Sequence, residues 1–306
     1  MLKNLFFLGI ILAASGVLSP PLALAAGIAY GLTVTHGFHL DAKRLSKFLL
    51  QASVVCLGFS MNLNDVIRVG KSGFLYTALG ISFALALGTG LAYLLKVDRT
   101  AGFLISSGTA ICGGSAIAAL APVTNASSEA MAVAMGTVFV LNSVALLLFP
   151  AIGHALHLTQ TQFGLWAALA IHDTSSVVGA AAHYGTLALG IATTVKLARA
   201  LWIVPVSLGT AALRGNHSRI QLPWFILFFC IAAALGSWVV VLQPEFVQMA
   251  RLGKLGLAVT LFLIGTGITR ATLREVGARP MIQGVVLWCV VSTVTLGAIL
   301  KGWIHL

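Results

Sequence analysis

Asp173 is the one acidic residue deep inside an apolar stretch, and His172, Thr174, Ser175 and Ser176 flank it. A mid-membrane carboxylate is expensive to keep, and marks a functional site by default. Asp173, with His172 beside it, is the candidate to carry a coupling ion, H+ or Na+. A structural Asp paired to a Lys is the plainer alternative. Lys196 and Arg199 stand three residues apart in another apolar stretch, so a helix puts them on one face. Arg199 offers an oxyanion two parallel N–H donors, and Lys196 acts as a point charge. Snorkelling is the bland reading of such cations, but both lie well inside their segment. The third cluster is Gly108-Thr109-Ala110-Ile111-Cys112-Gly113-Gly114-Ser115, followed by Pro122. A Gly pair in mid-membrane lets a helix unwind, and unwound backbone survives there only where it lines a cavity or is buried in protein. The half-helix N-terminus so exposed points N–H groups and a positive dipole end at an anion. Small-residue helix packing is the alternative. Thr109, Cys112, Gly113, Gly114, Ser115, Thr174, Ser175, Ser176, Lys196 and Arg199 form the candidate substrate-binding set.

The elements that must position these residues follow from composition. The chain has 306 residues, of which 59% are hydrophobic and only 8% charged. Its mean hydropathy is +1.02. Soluble domains carry about a quarter charged residues, so a soluble enzyme, a coiled coil and a disordered chain are excluded. The 32 glycines suit close helix packing in lipid. The class is an all-α polytopic membrane protein, with about 10–11 transmembrane helices, inverted repeats and broken, unwound midplane helices. Eleven apolar segments are legible: Leu5–Ser19, Leu22–Thr35, Phe48–Met61, Phe74–Leu95, Ala101–Pro122, Ala130–Phe149, Phe163–Tyr184, Leu187–Leu213, Leu222–Leu242, Leu255–Thr269 and Met281–Leu300. The count becomes even if the first two form a half-crossing hairpin. Lys3, the run Leu5–Ala14 and Ala23-Leu24-Ala25 together resemble a cleavable signal peptide. We read them instead as a retained first helix and a second one beginning at Pro20-Pro21.

The net charge of +11 comes from 18 basic and 7 acidic residues. In a soluble protein it would suggest nucleic acid; here it sets topology, and no nucleic-acid partner is expected. Alternating segments sort eleven Lys and Arg to one side and five to the other. The richer side is the cytoplasmic one, which predicts a cytoplasmic N-terminus in the inner membrane. Short loops leave one transmembrane domain over 1–306, with repeat-related halves over about 1–150 and 151–306. The lipid bilayer is its surrounding partner.

Cys56, Cys112, Cys230 and Cys289 lie in apolar stretches without a CxxC, and read as small buried hydrophobes. His154 and His157, like His36 and His39, read as loop residues. No metal or cofactor is expected. Ser115 lacks the nucleophile-elbow sequence, and a Cys112/His172/Asp173 intramembrane hydrolase is the enzymatic alternative.

Two internal echoes stand out. Cys56–Gly70 matches Leu263–Gly277 at an offset of 207, through Gly58/Gly265, Val69/Val276 and Gly70/Gly277. The charge sort puts these helix ends on opposite sides, as an inverted repeat would. Ile111–Ile117 also echoes Ile171–Val177. Segment alternation makes this second pair run in the same direction, so it reads as two helices interrupted for function. At about 1.5 Å per residue, Asp173 lies roughly 18 Å from the Gly185-Thr186 connection, Lys196 roughly 15 Å from it, and Cys112 roughly 15 Å from Pro122 on the same side. All three clusters fall near one midplane, where Asp173 is expected to pair with Lys196 or Arg199.

The stretches LLQASVVCLGFSMNLNDVIRVG, SSGTAICGGSAIAALAPV, HDTSSVVGAAAHYG and TVKLARALWIVP resemble the YeiH-like (UPF0324) membrane family, often labelled sulfate exporters. The resemblance runs along nearly the whole chain. The family is similar in fold to the cation/proton antiporters and bile-acid symporters. That implies inverted repeats, a pair of unwound crossing helices and a core moving against a dimerising scaffold. One crossing helix would carry Gly113-Gly114; no second Gly-Gly helix follows Gly265–Gly277. The family label implies an anion substrate. The expected function is therefore secondary, elevator-like transport of a small anion, sulfate or an organosulfonate, with H+ or Na+ coupling. A monovalent cation/proton antiporter using Asp173 against Lys196 is the alternative.

Overall fold

The computed structural model describes residues 2–34, 39–61, 63–214, 224–267, 269–270 and 276–304. Among these residues the chain is helical and has no strand. The helices are α1 (Leu2–Ala14), α2 (Pro20–Thr33), α3 (His39–Gly58), α4 (Leu63–Leu94), α5 (Arg99–Ala110), α6 (Gly114–Val123), α7 (Ser128–Ala155), α8 (Gln160–Ala170), α9 (Thr174–Tyr184), α10 (Thr186–Ala200), α11 (Ile203–Arg214), α12 (Trp224–Trp238), α13 (Gln243–Thr266) and α14 (Ala278–Leu300). Among the described residues five stretches are long and apolar enough to cross a membrane: Phe74–Leu94, Glu129–Ala155, Thr186–Ala212, Gln243–Thr266 and Ala278–Leu300. The protein is an all-α polytopic membrane protein.

Two of the expected spans do not cross. The segment Ala101–Pro122 is a hairpin of α5 and α6. Ile117 of α6 lies against Gly108 of α5, and Leu104 and Ile105 share a packed cluster with Leu120 and Ala121. A straight helix would hold Ile105 and Leu120 about 22 Å apart. The reversal is made at Gly113, whose φ is +69°. Its N–H donates to the Gly108 carbonyl at 2.8 Å, a closing bond typical of helix C-termini. Only glycine adopts that φ without strain.

The segment Phe163–Tyr184 is likewise a hairpin, of α8 and α9. The Tyr184 hydroxyl donates to the Leu158 carbonyl at 2.7 Å, and the Phe163 and Tyr184 rings stack with centroids 3.7 Å apart. Gln160 Oε1 accepts from the Leu187 and Ala188 amides at 3.0 and 3.3 Å. A straight rod would hold Gln160 and Tyr184 about 36 Å apart.

The hairpins enter from opposite ends of α7, whose 28 residues span about 42 Å at the α-helical rise. At the start of α7, Ala101 and Ala130 share a cluster. At its other end the His154 and Tyr184 rings stack at 4.4 Å. The tips meet beside Asn142, the mid-point of α7. Three expectations are thereby corrected. The echoing stretches Ile111–Ile117 and Ile171–Val177 turn at opposed tips and do not lie on parallel spans. Pro122 and Gly185 lie at opposite ends of the molecule, not on one side. The broken helices reverse at mid-depth where crossing was expected. The two loops that change sides, 124–127 and 156–159, hold no Lys or Arg, so the charge sort itself is unchanged.

A third fold-back joins α1 and α2, bringing the Phe6 and Tyr30 rings to 5.9 Å. The pair packs on Ala258–Leu263 in the second half of α13. Ala23 and Leu24, inside the signal-like stretch, are buried in α2. The α2–α13 crossing is backbone on backbone, since a Cβ on Gly27 or Gly265 would collide with the other helix's main chain. The first internal echo joins the ends of α3 and α13, which pack antiparallel: Ser53 faces Gly253 and Gly256, and the Phe59 and Phe246 rings stack at 5.0 Å. Residues 268 and 271–275 of that echo lie outside the described residues, as does His36. Gln283 of α14 donates to the Gly88 and Gly102 carbonyls and Ser106 Oγ at 3.1, 3.0 and 3.2 Å. That amide binds α4 and α5 together beneath the first hairpin.

Candidate functional site at the hairpin tips

Each hairpin tip brings a helix C-terminus and a helix N-terminus to the centre of the molecule. The last carbonyls of a helix lack intrahelical partners and form the negative end of its dipole. Both buried cations go there. Arg199, at the end of α10, donates from Nε to the Ala110 carbonyl at 2.6 Å and from Nη1 to the Leu169 carbonyl at 2.6 Å. Its Nη2 faces the Thr109 carbonyl at 3.5 Å. One guanidinium thus staples the C-terminus of α5 to that of α8. Lys196 Nζ donates to the Ile171 carbonyl at 2.8 Å, with the Ala168 carbonyl at 3.5 Å, and closes the same end of α8. The planar fork of Arg reaches two carbonyl sets at once, which an ammonium cannot.

The N-termini differ from one another. Asp173 caps α9: its Oδ2 accepts from the Ser176 amide at 3.1 Å, the Ser176 hydroxyl at 3.2 Å and the Ser175 hydroxyl. Gly113 caps α6 and has no side chain to offer. The two tips touch, since a Cβ on Gly113 would stand 3.2 Å from the His172 carbonyl oxygen and 3.3 Å from Asp173 Cα. Thr109, Cys112, Gly113, His172, Thr174, Ser175 and Ser176 are buried there. Gly114 and Asp173 are half-buried and Ser115 is exposed, so the tip region opens along the first turn of α6.

The candidate substrate-binding and coupling residues therefore gather around one tip-to-tip region. Their partners differ from expectation in one respect. Among the described residues Asp173 forms no ion pair with Lys196 or Arg199. The carbonyls of two helix ends outcompete it for the cations, and the Ser176 amide and the Ser175 and Ser176 hydroxyls take the carboxylate. The guanidinium fork likewise faces carbonyls.

Cys112, His172 and Asp173 form no hydrogen-bonded chain: His172 Nε2 has no partner, and Asp173 is held by its serines. Cys289 is exposed on α14, against the expectation of a buried thiol. His154 lies in the last turn of α7, stacked on Tyr184, and His39 begins α3; neither is a loop residue. His157 lies in the turn after α7.

Asn142 was missed from the sequence. Its Oδ1 accepts the His172 backbone N–H at 2.9 Å, tying the second tip to α7. Its Nδ2 and His172 Nε2 are both buried without a partner. A lone amide within the apolar run 138–149 was the available signal.

A family model described as Conserved hypothetical protein 698 matches residues 6–284. A UPF0324 membrane protein of Bdellovibrio bacteriovorus is 52% identical, over 92% of this chain and 89% of its own length. Another, from Geobacter sulfurreducens, is 50% identical over 92% and 91%. A third, from Bacteroides thetaiotaomicron, is 47% identical over 94% and 88%. No solved structure matches. Matched along nearly its whole length, the chain belongs to the Conserved hypothetical protein 698 family, together with the UPF0324 membrane proteins.

Proposed function

We propose that this protein is a secondary transporter of a small oxyanion, sulfate or an organosulfonate, working by alternating access in the inner membrane. The observation that supports this most is the meeting of two opposed hairpins around the open N-terminus of α6. Lys196 and Arg199 lie beside that point without a carboxylate partner, and Asp173 offsets one of the two charges. The excess positive charge and the positive end of the α6 dipole both favour an anion. In this reading the anion rests on Gly113, Gly114 and Ser115, with Thr174, Ser175 and Ser176 opposite. The two cations act on it through their field rather than by direct bonds.

Coupling follows from the α9 cap. Asp173 and an incoming anion compete for the same Ser175 and Ser176 donors. A proton, or Na+, taken up at Asp173 removes the repulsion and frees those donors; His172 stands next in line to relay a proton. Each hairpin closes the path from one side, so relative movement of the tips alternates access. A cytoplasmic N-terminus and a homodimer complete the reading. We read the chain as a transporter and not an enzyme.

One observation favours a second reading, a monovalent cation/proton antiporter. Asp173 is half-buried and unpaired with a cation, and a carboxylate so placed can take a metal ion. Purified protein in liposomes separates the two. Labelled sulfate or taurine uptake driven by an inward proton or sodium gradient supports the anion reading. Cation-driven collapse of a pH gradient, with no anion uptake, overturns it.

A further inference from the structure

A cavity of about 290 Å³ lies between α4 and α14, with Arg199 on its inner wall. Apart from Tyr76 and Thr295 its other walls are apolar, built from Leu79, Phe83, Val291, Val294 and Trp303 among others. Thr295, which also lines it, spends its hydroxyl on the Val291 and Ser292 carbonyls. Among the described residues of that lining Arg199 is the only charged one. Leu169, whose carbonyl accepts from Arg199 Nη1, lines the same wall. The volume is at the small end of pockets that hold organic ligands.

The two helices that flank the cavity are the most outward of the candidate spans. Only 22% of the α4 window and 28% of the α14 window are buried, against 50–67% for the other three. Leu75, Leu79, Phe83, Val294 and Leu300 stand exposed along them. The cavity therefore adjoins the hydrocarbon of the bilayer, and its lining includes a cation with no carboxylate partner among the described residues.

We infer that this cavity binds a single-chain amphiphile with an anionic head, drawn from the bilayer. The chain lies between α4 and α14, and the head supplies the counter-charge that no residue gives Arg199. Arg retains N–H groups for this, since the three carbonyl contacts leave two of its five donors. An uncharged chain gains only the apolar contacts. The inference does not depend on the transport reading, because binding is measured without transport.

The test uses the purified full chain and a bromine-labelled decyl sulfonate, with bromine-labelled decanol as the uncharged probe. Trp303 on the cavity wall reports binding by quenching, taken as the difference between the wild type and Trp303→Phe. The sulfonate is expected to saturate at a concentration about tenfold lower than the alcohol. Gly80→Phe should abolish quenching by both. A side chain at Gly80 meets open space, so this variant fills the cavity without a clash. Arg199→Gln should bring the sulfonate down to the level of the alcohol; if that variant does not fold, Gly80→Phe and the probe comparison carry the test. Equal saturation by the two probes, or unchanged quenching in Gly80→Phe, overturns the inference.

Discussion

The backbone N–H of His172 donates to the side-chain oxygen of Asn142 at 2.9 Å, and so fastens the tip of the second hairpin to the mid-point of α7. The other contacts at the tips gather at that depth. The first hairpin meets the second at His172 and Asp173, and Lys196 closes α8 at Ile171, one residue before His172.

Removing the acceptor should loosen the tip. Asn142→Leu leaves a buried N–H unpaired, which costs about 1–3 kcal/mol, and transport should fall with it. Asn142→Asp keeps the acceptor and should hold the fold better. Thermal melts in detergent, paired with uptake in liposomes, check both. Equal melts for the wild type and Asn142→Leu would deny the tie.

Gly113 and Gly114 test the reversal of the first hairpin. Gly113→Leu meets a strained φ and the facing His172 and Asp173 backbone, at a cost of about 1–3 kcal/mol for the strain alone. Gly114→Leu drives into the Phe139 ring, 2.7 Å from a Cβ there. Both proteins should insert and neither should transport. Full uptake by both removes the tip from the pathway.

The staple predicts that Arg199 and Lys are not interchangeable. Arg199→Lys keeps the charge but reaches the Ala110 or the Leu169 carbonyl, not both. Each lost charged hydrogen bond is worth about 1.5–3 kcal/mol. Arg199→Lys should therefore lower the melting temperature and weaken anion uptake together. Lys196→Ala should act in the same direction through α8 alone. Calorimetric anion titration of each variant, beside its melt, separates loss of site from loss of fold.

Asp173→Asn separates coupling from structure. Asn is as good an N-cap as Asp, so α9 should keep its start and the protein its melting temperature. Uptake should lose its dependence on pH, since the side chain no longer exchanges a proton. Asp173→Ala removes the cap as well and should cost about 1 kcal/mol. An unchanged pH profile in Asp173→Asn confines the residue to capping.

The chemistry-bearing residues were legible because each breaks the pattern around it. Asp173, Lys196 and Arg199 are charges inside apolar runs, and Gly113-Gly114 is a helix interruption. Depth counting along α9 and α10 brought Asp173 and Lys196 to one level, since those two helices do run antiparallel from Gly185. The same counting put Cys112 at mid-depth but put Pro122 on the side of Gly185, because it assumed a straight span through the interruption. Asn142 and Gln283 went unnoticed because an amide in an apolar run carries no charge to stand out, although both tie helices far apart in sequence.

Composition and hydropathy alone determined that the chain is helical, membrane-embedded and interrupted at two echoing points. They reflect how much apolar surface each segment carries, which local sequence fixes. Direction after an interruption is not a local property. Tyr184 returns to Leu158, and Ile117 to Gly108, through contacts between residues that stand apart in sequence. Tertiary structure alone decided that the interrupted segments turn back from opposite sides. It also decided that the two cations settle on helix-end carbonyls instead of Asp173. Those orphan carbonyls are brought within reach of Lys196 and Arg199 by packing α10 against the second hairpin, from where Arg199 also reaches the end of α5, and a buried cation takes the acceptors that packing supplies.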